Sequence, residues 1–177
     1  KLVAASLNLL SIALFTRLLS TDLYGDYLLF SSYVTLVCSL LFWWHRLSAY
    51  RYYHKFENEY GSYIRTSYIL YGSIIFLIIL LCCILFVLSI PQTIKSLIYV
   101  CAVGAIVKSN FDLNQNIFNI SRCDNVFGIN VITRSLIFII VGLILIPCLG
   151  INNFALIYAF IISFLLVSIY SNYIILN

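Results

Sequence analysis

The sequence predicts an all-α fold, a polytopic transmembrane helix bundle of about six spans, on three observations. Hydrophobic residues fill 63% of the 177 positions and charged residues only 9%, where soluble domains carry about 25% charged residues. The mean hydropathy is +1.06. The apolar stretches, such as 73–90 and 135–147, are continuous. They suit helices crossing a hydrocarbon core of roughly 30 Å, not the ten-residue alternating segments of a membrane β-barrel.

The expected spans are 2–19, 23–44, 66–90, 94–120, 126–146 and 153–175. Thr21 or Asp22 is placed to cap the second span. Pro91 is expected to end the third span, because a proline disfavours helix in the residue before it. Pro147 and Gly150 are expected to close the fifth. The longest polar segment, 45–65, reads as a loop. With no methionine, a helical pattern from Lys1 and an apolar stretch close to Asn177, the chain reads as part of a longer protein. No small-residue cleavage site follows Lys1, so the first span reads as retained.

Loop charges set the expected orientation. The second and fourth loops contain Arg46, Arg51, Lys55, Arg65 and Arg122, whereas the first, third and fifth contain only Lys95. The positive-inside rule then places the even loops, and both ends of the segment, in the cytoplasm. Tyr50, Tyr52, Tyr53, Tyr60 and Tyr63 crowd the second loop. Interleaved with basic residues they resemble a single-strand nucleic-acid surface, but beside helix ends they read better as an interfacial belt. No nucleic-acid partner is expected. His45 and His54 read as interfacial too. The six cysteines form no CxxC pair and read as small hydrophobes. No metal site and no cofactor is expected.

Charges inside the spans are the informative residues. Lys108 lies near the middle of the fourth span, with Asp112 at i+4. A charge at bilayer depth costs about 2.5–3.5 kcal/mol on insertion scales, so it faces the bundle interior or a wet cavity. At 100° per residue, Cys101, Gly104, Lys108, Asp112, Gln115, Asn119 and Arg122 fall within about 40° of one line. Two readings of this stripe stand: a wall of a hydrated transport cavity, or a Lys–Asp pair neutralised within one helix and buried for packing. Gln115 and Asn119 extend the stripe further than one pair needs, which favours the cavity. Arg17, two residues from the end of the first span, is within reach of the headgroups. Arg134 lies eight residues into the fifth span, ~12 Å deep. No Walker A loop, GxSxG, HExxH or paired catalytic carboxylates occur, so no enzymatic activity is expected.

Several segments resemble a known family. Phe15 to Tyr27, with Arg17-Leu18-Leu19, Asp22 and Tyr24-Gly25, resembles the first helix and turn of polysaccharide and O-antigen flippases. Arg51-Tyr52-Tyr53 is similar to the Arg-aromatic pair ending their second helix. Arg122 to Arg134, with Phe127-Gly128, resembles their fourth-to-fifth helix junction. Trp43-Trp44 departs from the small residues of the relatives. These flippases belong to the multidrug/oligosaccharidyl-lipid/polysaccharide exporter superfamily.

The resemblance implies that 1–177 is the N-terminal six-helix lobe of a two-lobe transporter fold. The implied substrate is a polyprenyl-diphosphate-linked oligosaccharide, moved across the cytoplasmic membrane. A polysaccharide polymerase and chain-length proteins are the further partners it suggests. Arg17 and Arg51 carry over as cationic cavity residues. Lys108 and Arg134 join them on the physical argument, with Asp112 as coupling or pairing residue and Gln115 and Asn119 as polar lining. Two alternatives stay open. One is a membrane-bound polysaccharide polymerase or glycosyltransferase, which would need a sizeable external loop. The other is a multidrug or cation-coupled exporter using Asp112.

Overall fold

The computed structural model describes residues 2–52, 60–87, 91–148 and 154–176. Within them the chain forms six helices: α1 (Leu2–Leu18), α2 (Thr21–Tyr52), α3 (Tyr60–Val87), α4 (Gln92–Ile120), α5 (Asp124–Cys148) and α6 (Phe154–Leu176). The expected features at Tyr53, His54, Lys55, Ile90, Gly150 and Asn153 lie outside the described residues. Helices α2 to α6 are each long and apolar enough to cross a membrane, and α1, at 17 residues, is the shortest length that spans a hydrocarbon core. The protein is a multi-pass membrane helix bundle.

Local chemistry moves several boundaries. Ser20, rather than Thr21 or Asp22, stands before the first residue of α2, and its Oγ accepts a long bond from the Leu23 N–H at 3.5 Å. Pro91 acts at the start of α4. Its φ of −53° and ψ of 137° set the chain into the helix, and its carbonyl accepts from the N–H groups of Ile94 and Lys95. Pro147 falls inside the last turn of α5 instead of closing it.

The largest correction concerns α2. The segment 45–52, expected as loop, continues the helix to Tyr52. Its buried face explains why: Phe30, Val34, Cys38, Phe42, His45 and Ala49 recur every three or four residues, and all are at most 6% exposed. That is one helical stripe running through the expected boundary. His45 is therefore buried against α3. Tyr63 donates its hydroxyl to the Ala49 carbonyl at 2.8 Å, joining α3 to the end of α2.

Helix contacts define an up-and-down bundle. Going along α2 and α4 together, Phe30 and Val34 meet Gly104, Cys38 Sγ meets the Ala105 carbonyl at 3.5 Å and Arg46 meets Asp112, so these helices are parallel. Phe111 against Phe164 and Asn114 against Asn172 make α6 parallel to them. Asn8 with Arg134 and Phe15 with Phe138 make α1 parallel to α5. Alternate helices therefore turn at opposite ends. One end gathers Arg51, Arg65 and Arg122, and the other Arg17 and Lys95. The positive charge is thus asymmetric among the described residues, as the loop composition predicts.

The core follows these contacts. Phe30, Val34, Cys38, Ala105, Phe111, Phe160 and Phe164 cluster where α2, α4 and α6 meet, and Phe15, Leu19 and Leu156 pack a smaller centre beneath α1. Gly104 and Gly142 are the close approaches: a Cβ would stand 2.8 Å from Phe30 Cζ at the first and 2.6 Å from Phe15 Cζ at the second.

Helix α4 ends in a Schellman turn. The Cys123 N–H donates to the Phe118 carbonyl and the Arg122 N–H to that of Asn119, with Arg122 at φ 57°. A residue with a Cβ pays about 1–2 kcal/mol for that conformation, and glycine is its usual occupant. Arg122→Gly is expected to raise the stability of the purified protein by about 1 kcal/mol, read as a higher midpoint of thermal unfolding in detergent. An unchanged or lower midpoint would count against the left-handed cap.

Candidate functional site

The site is built where α2 and α4 approach closely. Gly104 and Ala105 carry little or no side chain, so the α2 backbone comes near enough for Arg46 to reach across. Its Nη1 lies 2.9 Å from Asp112 Oδ2. Lys108 Nζ lies 3.2 Å from the same oxygen, one helical turn earlier. Two cations thus share one carboxylate. The three side chains keep 19–28% exposure. Measured along the helices, Arg46, Asp112 and Lys108 sit about 9, 12 and 18 Å from the basic end. The Arg46 guanidinium also rests 4.9 Å over the Trp43 ring. Coulomb attraction in this setting is stronger than at an aqueous surface, and the surplus is one positive charge.

The rest of the predicted stripe behaves differently along its length. Cys101 and Gly104 are buried in the α2–α4 seam. There the stripe forms a tight helix–helix contact, because small residues let α2 close onto it. Gln115 is buried, and neither of its side-chain polar atoms has a hydrogen-bond partner among the described residues. Asn119 is exposed.

The other predicted cations are not brought to this cluster. Arg17 is exposed at the end of α1, and Arg51 is exposed at the far end of α2, 5.9 Å from the Tyr52 ring centre. The 32 residues of α2, about 48 Å of helix, separate the two ends, so Arg17 and Arg51 cannot bind one group together. Arg134 pairs with no carboxylate among the described residues. Its Nη2 lies 3.1 Å from Asn8 Oδ1 and 3.1 Å from Ser135 Oγ, and its guanidinium lies 4.9 Å over Phe164. The Phe164 ring packs on Phe111, next to Asp112, at 5.2 Å.

Sequence reasoning missed Arg46 as a site residue because it was assigned to a loop. The buried period from Phe30 to Ala49 was the signal for it. It also missed a second polar face of α4. Asn110 and Asn114 point about 200–240° away from Lys108. Asn114 Nδ2 donates to Asn172 Oδ1 at 2.6 Å, and Tyr68 Oη lies 2.8 Å from Asn114 Oδ1 and 3.1 Å from Asn172 Oδ1. Helices α3, α4 and α6 are tied together by this amide cluster. Beside it opens a cavity of about 700 Å³ lined by Arg65, Tyr68, Tyr71, Asn110 and Asn172 among others. Comparison with protein-family models, curated proteins and solved structures returns no match.

Proposed function

We propose that the chain is the N-terminal lobe of a flippase that moves polyprenyl-diphosphate-linked oligosaccharide units across the cytoplasmic membrane in polysaccharide and O-antigen assembly. The observation that supports the reading is the surplus positive charge within two candidate spans, where Arg46 and Lys108 share Asp112. A diphosphate must leave water to cross, and a guanidinium that stays charged when partly buried offsets that loss with paired N–H donors. The resemblance of Phe15 to Tyr27 and of Arg51-Tyr52 to the flippase family supports the same substrate class. Arg51 would meet the diphosphate at the cytoplasmic end and Arg17 at the opposite end, with the central cluster and Arg134 between, as alternating access requires. The basic end, with both ends of the segment, is the cytoplasmic one. The bilayer holds the lipid tail, and a polymerase and chain-length proteins would take up the product. Asp112, engaged by two cations, serves in this reading as their counter-ion, which disfavours the cation-coupled exporter.

Arg46→Gln tests the proposal without dismantling the fold, because Lys108 and Asp112 remain as a neutral pair. Loss of one charge-assisted contact of about 1.5–3 kcal/mol is expected to lower surface polysaccharide about tenfold or more, at unchanged membrane abundance, with Arg46→Lys intermediate. Normal surface polysaccharide in the Arg46→Gln strain would remove the ion cluster from the transport path.

A further inference from the structure

Helix α3 packs on α2 and α4, and α6 packs on α4 and α5. Between α3 and α6 this leaves a cleft floored by α4 and bridged by the Tyr68–Asn172 contact. Two cavities occupy it. The larger, about 700 Å³, is lined at the basic end by Arg65 and deeper by Tyr68, Tyr71, Asn110 and Asn172. The smaller, about 230 Å³, shares Tyr71, Asn110 and Asn172 with it and continues toward the middle of the span along Ile75, Ile106, Leu165 and Ser168. The two therefore form one groove, cationic at its mouth, amide- and hydroxyl-lined at middle depth, and apolar at its inner end.

Two observations point to a ligand. Arg65 has no ion-pair partner among the described residues. Ser168 lines the inner part of the groove, is 5% exposed, and its Oγ has no hydrogen-bond partner among the described residues. A buried hydroxyl in a membrane span normally bonds to something.

We infer that this groove is a binding site for an anionic phospholipid of the bilayer. The order of chemistry along it is that of such a lipid read from headgroup to tail. Arg65 meets the phosphate, with paired donors suited to phosphate oxygens. Asn110 and Asn172 meet the glycerol and ester oxygens. Ile75, Ile106 and Leu165 meet the start of an acyl chain. Basic pockets between spans on the cytoplasmic side are where anionic headgroups are held, and Arg65 lies at the basic end of this bundle. The site sits across α4 from the Arg46–Asp112–Lys108 cluster, so it does not rest on the flippase reading.

The test is native mass spectrometry of the purified chain, released from detergent after mixing with either dioleoyl-phosphatidylglycerol or dioleoyl-phosphatidylcholine. The wild-type chain is expected to retain one phosphatidylglycerol at least several-fold better than phosphatidylcholine. Arg65→Gln should remove that preference, and Ile75→Trp, which fills the inner end, should lower retention of both lipids. Arg122→Gln, which removes a charge from the same membrane face outside the groove, should leave the preference intact. Equal retention of the two lipids by the wild type would overturn the inference. So would a preference lost in Arg122→Gln but kept in Arg65→Gln, which would mark diffuse surface charge. Preferential retention of polyprenyl phosphate over phosphatidylglycerol would also overturn it, making the groove a substrate entrance.

Discussion

Gly142→Leu is expected to prevent accumulation of folded protein, and Gly142→Ala to cost about 1–3 kcal/mol. Even the single methyl of alanine would stand 2.6 Å from Phe15 Cζ and 3.0 Å from Cε1. The ring cannot easily give way. Phe15 is 1% exposed, and Phe138 meets it edge-on at 5.4 Å. Accommodating the new side chain therefore moves α1 off α5, and with it Asn8, which holds Arg134. The check is the fraction of protein eluting as a single species after heating, for each variant in mild detergent. Phe15→Leu combined with Gly142→Ala should recover much of the loss, since two residues in contact are energetically coupled. Equal behaviour of Gly142→Ala and wild type would show that α1 does not pack this closely.

The second large effect is at Asp112. Asp112→Leu leaves Arg46 and Lys108 facing each other without a counter-charge, and removing one partner of a buried ion pair costs about 3–5 kcal/mol. Because these side chains keep 19–28% exposure, the lower part of that range, about 3 kcal/mol, is expected. Lys108→Ala should cost far less, because the 2.9 Å Arg46–Asp112 bond survives it. Replacing all three residues by leucine should restore abundance without restoring transport. That separation distinguishes a cluster that only holds helices together from one that also handles an anion. Thermal midpoints give the first quantity and surface polysaccharide the second. If Lys108→Ala destabilised as much as Asp112→Leu, the two-cation arrangement would be wrong.

Much of this architecture was legible in the residues. Continuous apolar runs marked the helices, and loop arginines marked one end of the bundle. The i+4 spacing of Lys108 and Asp112 placed them on one face, and they do share a contact. What failed has a physical reason. The polar, tyrosine-rich segment after Trp44 reads as loop by composition, yet a buried face at helical spacing carries α2 to Tyr52. Helix partners were also hidden. In a membrane both lipid and protein neighbours are apolar, so hydrophobic periodicity says little about which face meets which helix. The contact that brings Arg46 to Asp112 depends on Gly104 and Ala105, whose small size signals a close approach but not its partner. The amide cluster of Asn110, Asn114 and Asn172 is hidden in the sequence because α4 has two polar faces, and of the two only the Lys108–Asp112 face carries charge.

The most direct measurement of the transport account is the leaflet on which polyprenyl-diphosphate-linked repeat units collect in cells lacking this protein. Inverted membrane vesicles and intact cells, each probed with a membrane-impermeant reagent for the sugar, separate the two faces. Accumulation on the cytoplasmic leaflet, with surface polysaccharide lost, is the predicted result, because an anionic headgroup would then have no cationic path across the hydrocarbon. Single repeat units displayed on the outer surface would contradict the account and point to a polymerase.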